Sequence, residues 1–251
     1  MNNYFQNLKK IEFVVTLACT GHCKHCQNGD PIQSSGHLDS HLATKLIQEV
    51  TSIYPIKTVM TFGGESLLYP EVVYQIHQAA TECGVPKRQL ITNGFFTKDE
   101  KKIEAVTKEL QKAGVNEILL SVDAFHQEYI PIEPVLTIAK CAKALGIQIY
   151  LQPAWLESRD SDNIYNQKTK EVLALFDGLE IATKEGDVIF PYGNAAKYLK
   201  EYFTNLDAPS PYEDNPYDIQ TLSISPSGEV LDGNLHDQSI LEIMKNYQPN
   251  K

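Results

Sequence analysis

The sequence predicts an α/β fold, and three observations predict it. Short apolar runs suited to strands alternate with longer stretches in which apolar residues recur at helical spacing, the pattern of a parallel sheet with helices packed outside it. Several helical stretches close on a glycine, as at Gly84, Gly114 and Gly146. About six such units precede a proline-rich connector, too few for a closed eight-unit barrel.

Taken in order, the first strand (11–17) delivers Cys19 at its carboxyl end. Asn28-Gly29-Asp30 and the polar residues after it read as a loop, followed by a helix near Asp39 with Leu42, Leu46, Val50 and Ile53 on one face. The second strand (56–62) ends at Gly63. After Tyr69-Pro70 a helix aligns Val72, Ile76, Ala79, Ala80 and Cys83, which gives Cys83 a packing explanation. A third strand (89–92) leads to Asn93-Gly94 and to a helix whose inner face is Ile103, Val106 and Leu110. The fourth strand (117–122) closes on the polar run Ser121-Val122-Asp123. From Pro134 a helix carries Ile138, Cys141 and Leu145 on one face, so Cys141 too packs. A fifth strand (147–151) runs into Gln152-Pro153-Ala154-Trp155, and a helix (170–176) precedes a sixth strand (179–182). A turn at Gly193-Asn194-Ala195-Ala196 and a helix (197–203) lead to the connector (207–216), in which Pro209, Pro211 and Pro216 disfavour regular structure. Beyond it, 222–225 and 229–231 flank Pro226-Ser227-Gly228 and read as a hairpin, followed by a short helix (239–247).

Composition excludes more than it selects. The 251 residues are 42% hydrophobic, enough for one substantial core plus a small appendage. A formal net charge of -10 argues against a general affinity for nucleic-acid phosphates. Met1-Asn2-Asn3-Tyr4-Phe5 lacks the features of a signal peptide, and no apolar run is long enough to span a bilayer, so a soluble, cytoplasmic protein is expected. Five cysteines, three of them clustered, suit a reducing compartment, and no disulfide is expected.

The clustered cysteines carry the chemistry. Cys19, Cys23 and Cys26 tie three thiolates to one tight loop. A cubane iron–sulfur cluster has four iron corners, so three ligands leave one iron open to bind and activate something else. A structural zinc ion wants four protein ligands, commonly as two close pairs. This sequence has no second pair, although His22 or His25 stands close enough to be weighed as a fourth ligand.

That cysteine spacing, with Gly63-Gly64-Glu65 at the expected distance downstream, resembles the radical S-adenosylmethionine (radical SAM) superfamily. The resemblance implies a partial (β/α)6 TIM-like barrel over residues 1–205. Residues 206–251 would form a connector and C-terminal extension like those of peptide maturases and activating enzymes, but without auxiliary-cluster cysteines, since none follows Cys141. It implies one [4Fe-4S] cluster on Cys19, Cys23 and Cys26, with S-adenosylmethionine (SAM) on the open iron. His25 stands where the family has a flat side chain, Gly63, Gly64 and Glu65 would receive the methionine ammonium, and Ser121 and Asp123 would either meet the ribose hydroxyls or serve as helix-cap or turn residues. Asn93 and Gln152 would converge on the same face from the ends of their strands, and the turn at Gly193 resembles a cofactor-facing one. A low-potential electron donor, flavodoxin or ferredoxin, is implied as a partner.

The substrate end stays open. Hydrogen abstraction from a peptide or protein leads on resemblance, while a small molecule or nucleoside would equally use a mouth holding His126, Tyr129, Gln152 and Trp155. A non-catalytic iron–sulfur or metal-binding protein is the third reading, and the retained Gly-Gly-Glu segment speaks against it.

Overall fold

The computed structural model describes residues 2–31, 36–207, 210, 212 and 214–249. Its frame is a parallel sheet assembled from β1 (Lys10–Val14), β2 (Thr58–Phe62), β3 (Lys87–Thr92), β4 (Glu117–Ser121) and β5 (Gln148–Gln152). Four helices link them: α1 (Ser40–Thr51), α2 (Pro70–Glu82), α3 (Glu100–Ala113) and α4 (Ile132–Ala144). Three short strands follow, β6 (Ala154–Trp155), β7 (Ala182–Thr183) and β8 (Asp187–Val188), with α5 (Ile164–Ala174) between β6 and β7. The chain closes with α6 (Gly193–Tyr198), β9 (Thr221–Ile224), β10 (Glu229–Val230), β11 (Gly233–Asn234) and α7 (Ile240–Asn246).

Seven strands form one sheet in the order β7-β5-β4-β3-β2-β1-β9, every neighbouring pair parallel. The sheet is open, a partial rather than a closed barrel. Helix stripes cover it: Leu46, Ile47 and Val50 of α1, Val73 and Ile76 of α2, Ile103 and Leu110 of α3 and Ile138 of α4 are buried against Ile11, Phe13, Val59, Leu90, Ile118 and Leu120. Each such side chain contributes ~1.5–3 kcal/mol of burial. Asp39, Asp99 and Asn163 cap α1, α3 and α5 by accepting N–H groups of the first turn.

Several expectations are corrected. The first strand stops at Val14, because Thr16 turns the chain by bridging to His37 and accepting the Ala18 N–H on its Oγ1. Helix α1 ends at Thr51, leaving Ile53 40% exposed rather than on the buried face. Cys83 caps α2, half-buried against the core. The helix expected at 170–176 begins earlier, at Ile164, where the Asn163 cap starts it. The sixth strand shrinks to Ala182–Thr183 because 177–179 winds into a 3-10 turn. The helix expected at 197–203 is α6 followed by a 3-10 turn. The hairpin forms only its turn: Ser225 N–H donates to the Glu229 carbonyl at 2.9 Å. The free edge of β1 takes β9 instead, pairing Ile11 with Leu222 and Phe13 with Ile224 in parallel. Pro209 and Pro211 lie outside the described residues. Among the described residues no helix is long and apolar enough to cross a membrane.

Candidate active site

Loops after β1, β2, β3 and β4 meet at one end of the sheet, the usual place for chemistry in parallel α/β folds. The first of them is wound by its own backbone. Cys26 N–H donates to the Cys23 carbonyl at 3.1 Å, Gly29 N–H to the Cys26 carbonyl at 3.2 Å and Gly21 N–H to Cys19 Sγ at 3.3 Å. Cys19, Cys23 and Cys26 thereby line one cleft, partly open to solvent.

The glycine pair after β2 supports this loop. Gly64 N–H donates to the Thr16 carbonyl at 2.7 Å and Glu65 N–H to the Ala18 carbonyl at 2.8 Å. A Cβ at position 64 would stand 2.1 Å from the Ala18 carbonyl oxygen, so the two loops can lie this close only over glycine. Gly63 and Gly64 line the cleft.

The Glu65 carboxylate is not among the lining residues. Fully buried, it accepts from Leu67 N–H at 2.9 Å, Thr92 Oγ1 at 2.7 Å and Asn93 N–H at 2.8 Å. Burial pushes its carboxyl up to about 7 despite these three donors. Asn93, held by that contact, lines the cleft and extends Nδ2 to Thr20 Oγ1 at 3.2 Å and Cys19 Sγ at 3.6 Å. Glu65, Asn93 and Cys19 therefore form one chain of contacts across the ends of β2, β3 and β1.

At the end of β4, Ser121 lines the cleft but Asp123 is buried beneath it. Asp123 accepts N–H groups from Phe125 and His126 at 2.9 Å and from Ala154 at 3.1 Å, and bonds the His126 ring at Nδ1 over 2.8 Å. Burial pushes its carboxyl up, but the charge and hydrogen bonds of His126 outweigh this and hold it down to about 2. Asp123 thus acts as a turn-capping residue, its oxygens taken by these donors, and the group it presents to the cleft is His126. Burial pushes His126 down, and the facing Asp123 carboxylate turns the balance upward.

Gln152 is likewise diverted, its Nε2 donating to Asp187 at 2.8 Å outside the cleft. Trp155 is buried with Nε1 on the Glu185 carbonyl at 2.7 Å, and Tyr129 packs edge-on against His22 at the rim. His25 lines the cleft with its ring 4.8 Å from that of His126. Its Nδ1 is buried without a hydrogen-bond partner in the protein, and burial pushes the ring down to about 4. The turn at Gly193 does not line the cleft; it packs on the outside of the cysteine loop, where Asn194 N–H meets the Cys26 carbonyl.

The donor set suits an iron–sulfur cluster. Burial pushes the Cys19 thiol up to about 11 and raises Cys23 and Cys26 as well, with repulsion among the sulfurs adding at Cys19 and Cys23. Thiols that resist ionising alone do so together once a cationic centre neutralises them. A competing set, Cys23, His25 and His126, brings its ligand atoms within 4.8 Å of one another. It offers three ligands where a structural zinc ion takes four.

A family model described as the radical SAM superfamily matches residues 13–149. A GTP 3',8-cyclase of Desulforamulus reducens is 22% identical over 130 residues, which cover 51% of this chain and 38% of that protein. A putative peptide biosynthesis protein of Bacillus subtilis, YydG, is 20% identical over 171 residues, 66% of this chain and 52% of its own length. The matched stretches thus span about half or less of these relatives. Streptococcus suis SuiB bound to S-adenosylmethionine shares the fold at a TM-score of 0.60 and 12% identity, over 97% of this chain and 67% of that one.

Proposed function

Since this chain belongs to the radical SAM superfamily of enzymes, whose family model spans more than half of it, we propose that it uses SAM to abstract hydrogen from a peptide or protein. The family's cofactors are a [4Fe-4S] cluster and SAM. When bound, they supply a 5'-deoxyadenosyl radical by one-electron cleavage of a carbon–sulfur bond. In our reading Cys19, Cys23 and Cys26 hold the cluster, with Cys83 and Cys141 outside it and a single cluster per chain. Gly63 and Gly64 offer backbone to the methionine end of SAM, His25 and Ser121 flank its nucleoside end, and Asn93 steadies Cys19. His126, oriented by Asp123, can hold or release a proton at Nε2. Residues 1–205 would form the catalytic core and 206–251 an extension without cluster ligands. A flavodoxin or ferredoxin would deliver the electron, in a reducing, cytoplasmic compartment.

The charge of the cleft carries the choice of substrate class. Among the described residues lining it there is no Lys or Arg, and Asp30 sits at its edge. A nucleoside triphosphate that entered this cleft would find no cation among these residues to pair its phosphates. The longer match to the Bacillus peptide biosynthesis protein supports the peptide reading, as does SuiB, which has also been crystallised with its precursor peptide SuiA.

The test is anaerobic reconstitution with iron and sulfide, then dithionite and SAM, alone and with either a pool of synthetic lysine-rich peptides or GTP. The reading expects about four irons per chain, release of 5'-deoxyadenosine, and faster release with peptide only. Acceleration by GTP alone would overturn the substrate class, and bound zinc without cleavage would overturn the catalytic roles.

A further inference from the structure

Asn194 grips the cysteine loop from a point 171 residues beyond Cys23. It lies on α6 with 2% of its surface exposed. Its backbone N–H donates to the Cys26 carbonyl at 2.9 Å, and its side-chain Nδ2 donates to the Cys23 carbonyl at 3.2 Å. Two of the three ligand residues thus have their carbonyls fixed by one side chain and its own backbone. At the preceding position φ is +54°, and a Cβ there would lie 2.4 Å from the Gln27 carbonyl oxygen and 2.5 Å from that of Cys26. Gly193 is therefore what allows α6 to lie flat on the loop. Farther out, Lys197 of the same helix pairs with Asp30 at 3.2 Å, and Asp30 with His22 at 3.2 Å. Those pairs are exposed and add little.

We propose that Asn194 is a positioning residue for the iron–sulfur cluster, a clamp that orders the loop before the metal arrives. A ligand loop that the cluster must itself order gives up binding free energy to conformational entropy; a loop held by buried hydrogen bonds does not. The clamp acts through carbonyls, so it leaves the three sulfurs free for iron. This inference rests on Cys19, Cys23 and Cys26 holding the cluster and is independent of the substrate class.

Asn194→Ala keeps the backbone donor while removing the Nδ2 donor, and adds no charge beside Asp30. Gly193→Ala lifts α6 from the loop, carrying an unchanged Asn194 side chain with it. In the reconstituted protein, chelator-driven loss of the cluster absorbance should run on the order of tenfold faster in both variants, the equivalent of a buried hydrogen bond lost. Lys197→Met should stay within about twofold of the starting protein, as a surface pair does. The urea midpoint of the metal-free Asn194→Ala protein should stay close to that of the starting protein, because the clamp orders one loop and not the core. Equal release rates in Asn194→Ala and the starting protein would overturn the proposal. So would acceleration accompanied by a matching fall in the metal-free midpoint, which marks general destabilisation. Failure of the starting protein to take up iron is a different result, one that removes the cluster assignment itself.

Discussion

Between β1 and β4 the strands run five or six residues and pair along their lengths, and every residue lining the cleft comes from the last residues of one of them or from the loop that follows it. From β6 to β8 the strands shrink to two residues, and Val188, Tyr192 and Tyr212 are each about half exposed or more. Charge divides the same way. Positions 157 to 218 hold thirteen Asp and Glu against six Lys and Arg, so about a quarter of the chain carries most of the net charge of -10. A cofactor whose geometry is always the same is served by loops that lock one another through backbone contacts. The later flank instead packs a smaller interior, Phe125, Ala154, Leu156, Ile189, Ala195 and Leu199, and carries its shape and charge on the surface.

The sharpest way to break this comparison is at the cysteines, one from each class of environment. Cys23→Ala should lose nearly all reconstituted iron and all SAM cleavage, since a cluster with two ligands has no stable seat in the loop. Cys83→Ala, at the end of α2 and half-buried against the core, should keep both. Parallel losses of iron in the two variants would mean that Cys83 also serves the metal.

A smaller effect separates glycines that the backbone requires from those that only end a helix. Gly64→Ala forces the β1 and β2 loops apart against the Ala18 carbonyl and should cost roughly 3 kcal/mol, with two backbone hydrogen bonds stretched. At Gly84 a Cβ meets nothing within 4 Å, and only the positive φ of +71° opposes it. Gly84→Ala should cost about 1 kcal/mol. Urea midpoints of the metal-free proteins measure both. Equal costs would show that the crossing of the two loops is looser than its contacts imply.

The same division explains what could be read from the sequence. Cys19, Cys23 and Cys26 were legible because a short spacing fixes three side chains to one loop, and the alternation of apolar runs gave strands β1 to β5 and helices α1 to α4. Glu65 and Asp123 were placed at the right ends of the right strands, but which way a carboxylate turns depends on donors distant in sequence. For Glu65 these are Thr92 and Asn93, and for Asp123 Ala154 is among them. The partnership of Asp123 with His126 left a signal, a carboxylate and an imidazole three residues apart just after a strand. The turn that carries Asn194 was visible, but its partners were not, because they are carbonyls of the cysteine loop. The pairing of β9 with β1 was also hidden: 222–225 and 229–231 flank a turn-forming tripeptide, and nothing local says that the edge of β1 is free to compete for them.

The smallest of the three effects isolates the interior of the well-built flank from the cleft beside it. His77, on α2, is fully buried and meets Thr61 Oγ1 through Nε2 at 2.9 Å. Burial, aided by the charge of Arg88, pushes its ring down to about 3. In the unfolded chain this histidine takes up a proton below about pH 6.5, while the folded protein keeps it neutral. Its contribution is therefore complete above that pH and is lost as the pH falls toward 3, by about 1.4 kcal/mol per unit. His77→Gln, which cannot titrate, should lower stability at pH 7 but reduce the further loss between pH 7 and pH 5 by about 2 kcal/mol. Urea unfolding of the metal-free protein at the two pH values reads this directly, away from any cluster ligand. A variant whose stability falls as steeply as that of the starting protein would move the acid sensitivity from the α2–β2 interior to the cleft.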